Sequence, residues 1–202
     1  MFFVNEINRV IDHVNMERDE QLLAQRFVKP EHVVLELGAR YGTVSYYINQ
    51  NLTDKQAQVS VEPDSRVWEA LEKNKKANNC HYHIVKGFIS NKRLGLTNLD
   101  NWYNGYGSTF SDDETSVIDH FTLESIEEKY NLKFNCLVAD CEGYLERFFD
   151  ENPKLYDQLE TIIFEADYGQ KCNYAKVMEN LKNHGFEEIY YDNGMQHVWV
   201  KK

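Results

Sequence analysis

Val33-Val34-Leu35-Glu36-Leu37-Gly38-Ala39-Arg40-Tyr41-Gly42-Thr43-Val44-Ser45 decides the fold. The apolar run Val33–Leu37 is short and stops at Gly38, the pattern of a buried strand. Gly38 lets the backbone turn tightly, and Gly42 allows close approach where a helix over Thr43–Leu52 begins. The same alternation recurs downstream. Ala57–Val61 is the next strand, and Ser65 reads as the cap of a helix to about Lys76, with Trp68 and Leu71 on its inner face. Tyr82–Val85 is a third strand. Thr122 opens a helix to about Tyr130, Cys136–Ala139 is a fourth strand, and Tyr144–Leu159 is helical with a break at Pro153. Thr161–Phe164 is a fifth strand, and Tyr174–His184 a helix stopped by Gly185. Phe186–Tyr191, Asp192-Asn193-Gly194 and Gln196–Val200 read as a closing hairpin.

Strands alternating with helices predict right-handed crossovers and a mostly parallel sheet covered on both faces. The class is α/β, doubly wound, with an antiparallel hairpin at the end. Upstream, Phe3, Ile7, Val10, Ile11, Val14, Leu22, Leu23 and Phe27 predict one or two amphipathic helices over residues 3–27. The expected organisation is a single domain, 1–202, with 1–30 as a helical extension and 31–202 as the core. Ser90–Asp113 is polar, contains Gly95, Gly105 and Gly107, and reads as one long irregular lid or binding loop.

The charge balance narrows the partners. Asp and Glu number 33 against 22 Lys and Arg, a net −11, which repels phosphate backbones and predicts no nucleic-acid partner. No apolar run approaches the roughly 18 residues of a membrane span. The N-terminus lacks a basic region followed by an apolar core, so no secretory signal is expected. Cys80, Cys136, Cys141 and Cys172 form no CxxC pair, and reduced thiols in a cytoplasmic protein are the expected state.

In doubly wound sheets ligands bind beyond the carboxyl ends of the strands. The first such turn is G-x-x-x-G, with Arg40 where a dinucleotide fingerprint would place its second glycine. A side chain there obstructs a pyrophosphate, which disfavours NAD and suits a nucleoside without phosphates. Glu62, at the end of the second strand, stands 24 residues beyond Gly38, near the spacing of a carboxylate that holds ribose hydroxyls. The fourth strand ends Asp140-Cys141-Glu142-Gly143 and the fifth Glu165-Ala166-Asp167. Acids gathered on one sheet edge repel unless they bind a cation, hold a sulfonium or serve as acid and base.

Glu36-Leu37-Gly38-Ala39…Gly42…Ser45, Val61-Glu62-Pro63, Gly107-Ser108-Thr109, Thr122-Leu123-Glu124-Ser125-Ile126 and Ala139-Asp140-Cys141-Glu142-Gly143 follow in order over about two thirds of the chain. In these motifs the sequence resembles the FkbM-type S-adenosylmethionine-dependent methyltransferases. It departs from them at Leu145, where a second Glu is usual, and at Ala139, where Lys or Ile commonly precedes the Asp. The resemblance implies a seven-stranded Rossmann-like sheet and O-methylation, often of a sugar hydroxyl in a small molecule or glycan.

On that basis Glu36, Gly38, Ala39, Gly42, Ser45, Glu62, Gly87, Phe88 and Asp140 are the expected cofactor-binding residues. Asp140, Glu142 and Glu165 are the expected catalytic ones, with Glu142 as base and Glu165 as its helper. A magnesium ion on Asp140, Glu142 and Glu165 is the rival use of the same acids. His120 is a second base or a solvated histidine, and Trp102, Tyr103 and Tyr106 either stack on a sugar or pack the loop. Protein or small-metabolite acceptors, or a silent binding module, stay open as alternatives, and the N-terminal segment could cover the cofactor or form a homodimer interface.

Overall fold

The central sheet arises as the alternation predicts. The computed structural model describes residues 1–97, 108–192 and 195–202. In chain order the main elements are α1 (Arg18–Phe27), β1 (Val34–Leu37), α2 (Thr43–Asn51), β2 (Gln58–Glu62), α3 (Trp68–Ala77) and β3 (His83–Lys86). Short strands β4 (Phe88–Ile89), β5 (Leu94–Thr97), β6 (Thr109–Asp112) and β7 (His120–Phe121) follow. Then come α4 (Leu123–Tyr130), β8 (Cys136–Ala139), α5 (Leu145–Glu151), α6 (Leu155–Gln158), β9 (Thr161–Glu165), α7 (Tyr174–Asn183), β10 (Phe186–Asp192) and β11 (Gln196–Lys201). Seven strands form one sheet in the order β10-β11-β9-β8-β1-β2-β3. β3, β2, β1, β8 and β9 are parallel neighbours, and the hairpin β10–β11 joins antiparallel through β11.

From β1 the chain winds outward to β2 and β3, then returns to β8 on the other side of β1. The switch point therefore lies between β1 and β8, whose last residues Leu37 and Ala139 are paired in register. Both faces are covered. Leu35, Leu37, Leu137, Ile162 and Phe164 pack toward α4, α5 and α7, while Val34, Cys136, Val138 and Ile163 pack toward α1 and α2. That two-sided burial explains why these strands read as unbroken apolar runs.

Four expectations need correction. Residues 3–17 are not helical: only Arg18–Phe27 is, and Val4 bridges Val10 instead. The cause is Asn74 on α3, whose amide takes both the N–H and the carbonyl of Val4 at 2.8 Å, burying Phe3 and Val4 in an extended segment. Ser65 does not cap α3. Asp64 accepts from the Arg66 N–H at 3.0 Å and winds a turn before a helix that begins only at Trp68.

The stretch Ser90–Asp113 is not irregular throughout, since Leu94–Thr97 and Thr109–Asp112 pair as an antiparallel hairpin. Trp102, Tyr103, Gly105, Tyr106 and Gly107 lie outside the described residues, as do Asn193 and Gly194. His120 is not a free loop histidine: partly buried, its Nε2 accepts the Leu94 N–H at 2.7 Å and its ring stacks on Phe88, which anchors the hairpin. Thr122, by contrast, caps α4 as read, accepting from the Ser125 N–H at 3.1 Å. Among the described residues no helix is long and apolar enough to cross a membrane.

Candidate active site

A cleft of about 790 Å³, counting its open mouth, lies over the carboxyl ends of β1, β2 and β8. Its floor is Leu37, Gly38 and Val61, and its acidic groups are Glu17, Glu62, Asp64, Asp140 and Glu142. Gly87, Phe88 and Ile89 form one side, and Leu96, Thr109 and Phe110 of the β5–β6 hairpin form another. The size suits a nucleoside-sized molecule. The hairpin wall is held from outside: Asp112 pairs with Arg147 at 2.6 Å, Lys171 donates to the Phe110 carbonyl at 2.9 Å, and Phe110 meets Tyr144 edge-on at 5.0 Å. Gly38 is required by packing, because a Cβ there would lie 1.7 Å from the Asp140 carbonyl oxygen. The β1 and β8 loops touch at this point, and no side chain fits between them.

Glu62 is 6% exposed, and each of its oxygens already receives one backbone donor. Oε2 accepts the Arg40 N–H and Oε1 the Asp64 N–H, both at 2.7 Å. Arg40 reaches that position with φ 41°, in the left-handed region. A carboxylate offers about four acceptor sites, so one lone pair on each oxygen is left for a pair of vicinal hydroxyls. Burial pushes the Glu62 carboxyl up to about 7, against the pull of those two amides. Val61, Pro63, Phe88 and Ile89 give the cleft apolar surfaces beside the Glu62 carboxylate, an arrangement with room for a flat ring next to a pair of hydroxyls.

The remaining acids meet past the switch point. Asp140 is held well above the usual carboxylate range by burial and then by Glu165, Glu17, Glu142 and Glu20. Glu165 is pushed up to about 7 by burial, with Glu20 and Asp167 adding repulsion and a hydrogen bond from Asp140 opposing it. Asp167 is raised by burial and pulled back by hydrogen bonds with Glu142 and with Tyr174, whose hydroxyl lies at 3.2 Å. Asp140 and Glu165 come together on one side of this edge, and Glu142 and Asp167 on the other, so each ionised carboxylate disfavours ionisation of its neighbours. The three acids whose oxygens come within 4.8 Å of one another are Asp140, Glu165 and Asp167. Glu142 is outside that set, so the expected magnesium trio is not the one brought together.

The other sequence-derived positions divide clearly. Gly38, Glu62, Gly87, Phe88, Asp140 and Glu142 line the main cleft. Glu36, Ala39, Gly42 and Ser45 do not. Ala39 packs with Leu71, Cys80 and Tyr82. Gly42 begins α2 with φ 78°, where a Cβ would meet the Tyr82 hydroxyl at 2.7 Å. Ser45 donates to Glu36 Oε2 at 2.6 Å, deep in the sheet. Glu36 and Glu165 line a second, smaller cavity behind Asp140. Sequence reading missed Glu17, which lines both cavities, and Tyr144, which donates to the Ile89 carbonyl at 2.9 Å and walls the main cleft. Asp167 had a visible signal, a second acid after β9. Glu17 had none, because only tertiary docking of α1 brings it to the sheet edge.

No family model matches the sequence, and no curated protein matches it. Solved structures do match in shape. Precorrin-6y C5,15-methyltransferase from Geobacter metallireducens aligns over 95% of this chain and 93% of its own, at 12% identity and TM-score 0.57. The fold is the Rossmann-like methyltransferase fold. Ribosomal protein L11 methylase from Lactobacillus delbrueckii aligns over 93% of this chain and 79% of its own, at 14% identity and TM-score 0.52. A candidate tRNA (m1A22) methyltransferase from Streptococcus pneumoniae, in complex with S-adenosyl-L-methionine, aligns over 90% of this chain and 70% of its own, at 15% identity and TM-score 0.50. At these identities the likeness establishes architecture and leaves the acceptor to the site itself.

Proposed function

We propose that the chain is an S-adenosylmethionine-dependent O-methyltransferase whose acceptor is a hydroxyl of a small molecule or glycan, as its FkbM-like motifs imply. One observation carries the reading: Gly38, Glu62, Gly87-Phe88, Asp140 and Glu142, drawn from four strand ends, line one cleft of about 790 Å³. S-adenosylmethionine, when bound, supplies a methyl group on a positively charged sulfur. Glu62 holds the ribose, Phe88 and Ile89 flank the base, and the turn at Gly38 lets the chain approach closely. Asp140, its carboxyl held above the usual range in the free protein, lies at the switch point, where a cation in the bound molecule favours its charged form.

Catalysis here is mainly positioning, since the two reacting groups must be aligned with water excluded. The acceptor oxygen gains a carbon and loses its proton, and Glu142, which lines the cleft, is the base we assign to take that proton, with Asp167 beside it. Asp167 then steadies the protonated base. This chain's surface is acidic overall, net −11, which disfavours a nucleic-acid acceptor and favours a neutral or cationic one.

The test is methyl transfer from labelled S-adenosylmethionine to a panel of sugars, alcohols, peptides and RNA. Glu142→Gln should lose about 10²–10⁴ of turnover while binding S-adenosylhomocysteine as tightly as the parent. Full turnover in that variant removes the base assignment. Transfer to RNA in preference to hydroxyl compounds removes the acceptor class.

A further inference from the structure

Three acids past the switch point converge from two neighbouring strands. β8 and β9 are parallel partners, with Ala139 paired to Phe164. Asp140 therefore follows the end of one strand beside Glu165 at the end of the other, with Asp167 just beyond. One carboxylate oxygen from each of Asp140, Glu165 and Asp167 lies within 4.8 Å of the other two. Carboxylates gathered that closely repel one another unless a positive charge stands between them. Among the described residues no Lys, Arg or His lines the small cavity that Asp140 and Glu165 share.

A side chain from a third strand points to the occupant. Gln196 on β11 is paired directly with Glu165, so the two side chains leave the same face of the sheet. Both line the small cavity together with Asp140. Gln196 is 5% exposed; its Nε2 donates to Glu20, while its Oε1 has no hydrogen-bond partner. An amide oxygen cannot satisfy itself by taking up a proton at neutral pH, so an orphan there is costly. The cavity holds about one water-sized occupant, too little for an organic group. A water would serve the amide oxygen and leave the three carboxylates uncompensated. A small cation serves both.

We infer that Asp140, Glu165 and Asp167, with the amide oxygen of Gln196, form a site for one hard divalent cation of the magnesium or manganese kind. Oxygen-only donors suit such ions. Two of the four groups are also held in place from outside: the Tyr174 hydroxyl donates to Asp167 Oδ1 at 3.2 Å, and Glu20 fixes the Gln196 amide. The site itself rests on these four side chains. Its use rests on the methyltransferase reading, because Asp140 also lines the main cleft beside Glu142. A cation there would lower the pKa of an acceptor hydroxyl that bound to it, easing transfer of the proton to Glu142.

The experiment is calorimetric titration of the full chain, stripped with EDTA and then freed of it, with manganese(II) chloride and with magnesium chloride, alongside S-adenosylhomocysteine. One manganese ion per chain should bind, and magnesium should displace it. Asp167→Asn should weaken manganese binding at least about tenfold and Gln196→Ala about threefold or more. Glu142→Gln should change it less than about threefold, which separates this site from one built on Asp140, Glu142 and Glu165. Melting curves without metal show whether each variant folds; if Asp167→Asn does not, Gln196→Ala decides. The inference is overturned by the absence of saturable binding, by binding that both variants leave unchanged, or by a loss in Glu142→Gln as large as in Asp167→Asn. Manganese binding without S-adenosylhomocysteine binding would remove the cofactor reading and keep the cation site; the converse would remove the cation site and keep the cofactor.

Discussion

Glu62 makes cofactor affinity a function of pH, and the size of the effect follows from its surroundings. Burial holds its carboxyl up to about 7 in the free protein, and two ribose hydroxyls can donate to it only when it is ionised. Lowering the pH below 7 protonates the group and removes the acceptor lone pairs the ligand needs. At pH 5.5 a group of pKa about 7 is about 3% ionised, so the Kd for S-adenosylhomocysteine should weaken about 30-fold from its value at pH 8. Glu62→Gln removes the titration. It should bind about 30-fold more weakly at pH 8, a loss of roughly 2 kcal/mol for two contacts that no longer involve a charge, and its Kd should change less than about threefold between pH 8 and 5.5. Calorimetry across that range measures both. Glu36 and Glu165 are also pushed up to about 7, which makes the variant the deciding control. A pH slope of the same steepness in Glu62→Gln would refute the assignment of the ribose to this carboxylate.

Three other outcomes follow from the packing. Glu36 is fully buried with its carboxyl raised to about 7, so its contribution to stability is greatest below the ordinary value near 4.5 and is lost as the pH rises toward 7. Glu36→Gln should therefore raise the Tm of the ligand-free protein at pH 8, by up to about 3 kcal/mol or roughly 10 °C, and leave it unchanged at pH 4.5; a lower Tm at pH 8 contradicts this. Gly42→Ala places a Cβ 2.7 Å from the Tyr82 hydroxyl at φ 78° and should cost about 2–4 kcal/mol, a melting-curve loss of roughly 5–15 °C. Asn74→Ala frees the amide and carbonyl of Val4; hydrogen exchange should show Val4 losing protection while the amides of β1 and β8 keep theirs.

What the sequence made legible was the part governed by local pattern. Val33–Leu37 and Cys136–Ala139 are buried on both faces, so they stand out as apolar runs, and Thr122 and Gly185 mark helix ends by their own chemistry. Glu62 was legible because its distance from Gly38 is set by one strand-helix-strand unit. The failures share a cause in contacts between distant segments. Apolar residues at Phe3, Ile7 and Val10 mimic a helix, yet Asn74, seventy positions beyond Val4, holds that segment extended. Gly42 reads as a ligand glycine, but Tyr82 and Leu71 are what crowd it. Asp167 joins Asp140 and Glu165 only because β8 and β9 are neighbours, and Glu17 reaches the site only through the docking of α1. The acidic edge could be read from the strand ends; which acids come within reach of one another could not.

The central claim is that the cleft over β1, β2 and β8 takes S-adenosylmethionine rather than a dinucleotide. Melting curves with S-adenosylhomocysteine and, separately, with NAD test it most directly. At 100 times its Kd a ligand adds about 2.7 kcal/mol, which for 202 residues is a rise in Tm of roughly 5–10 °C. That rise is expected with S-adenosylhomocysteine and not with NAD, whose pyrophosphate meets Arg40 where a glycine would be needed. A rise with NAD alone, or with neither at saturating concentration, would contradict it.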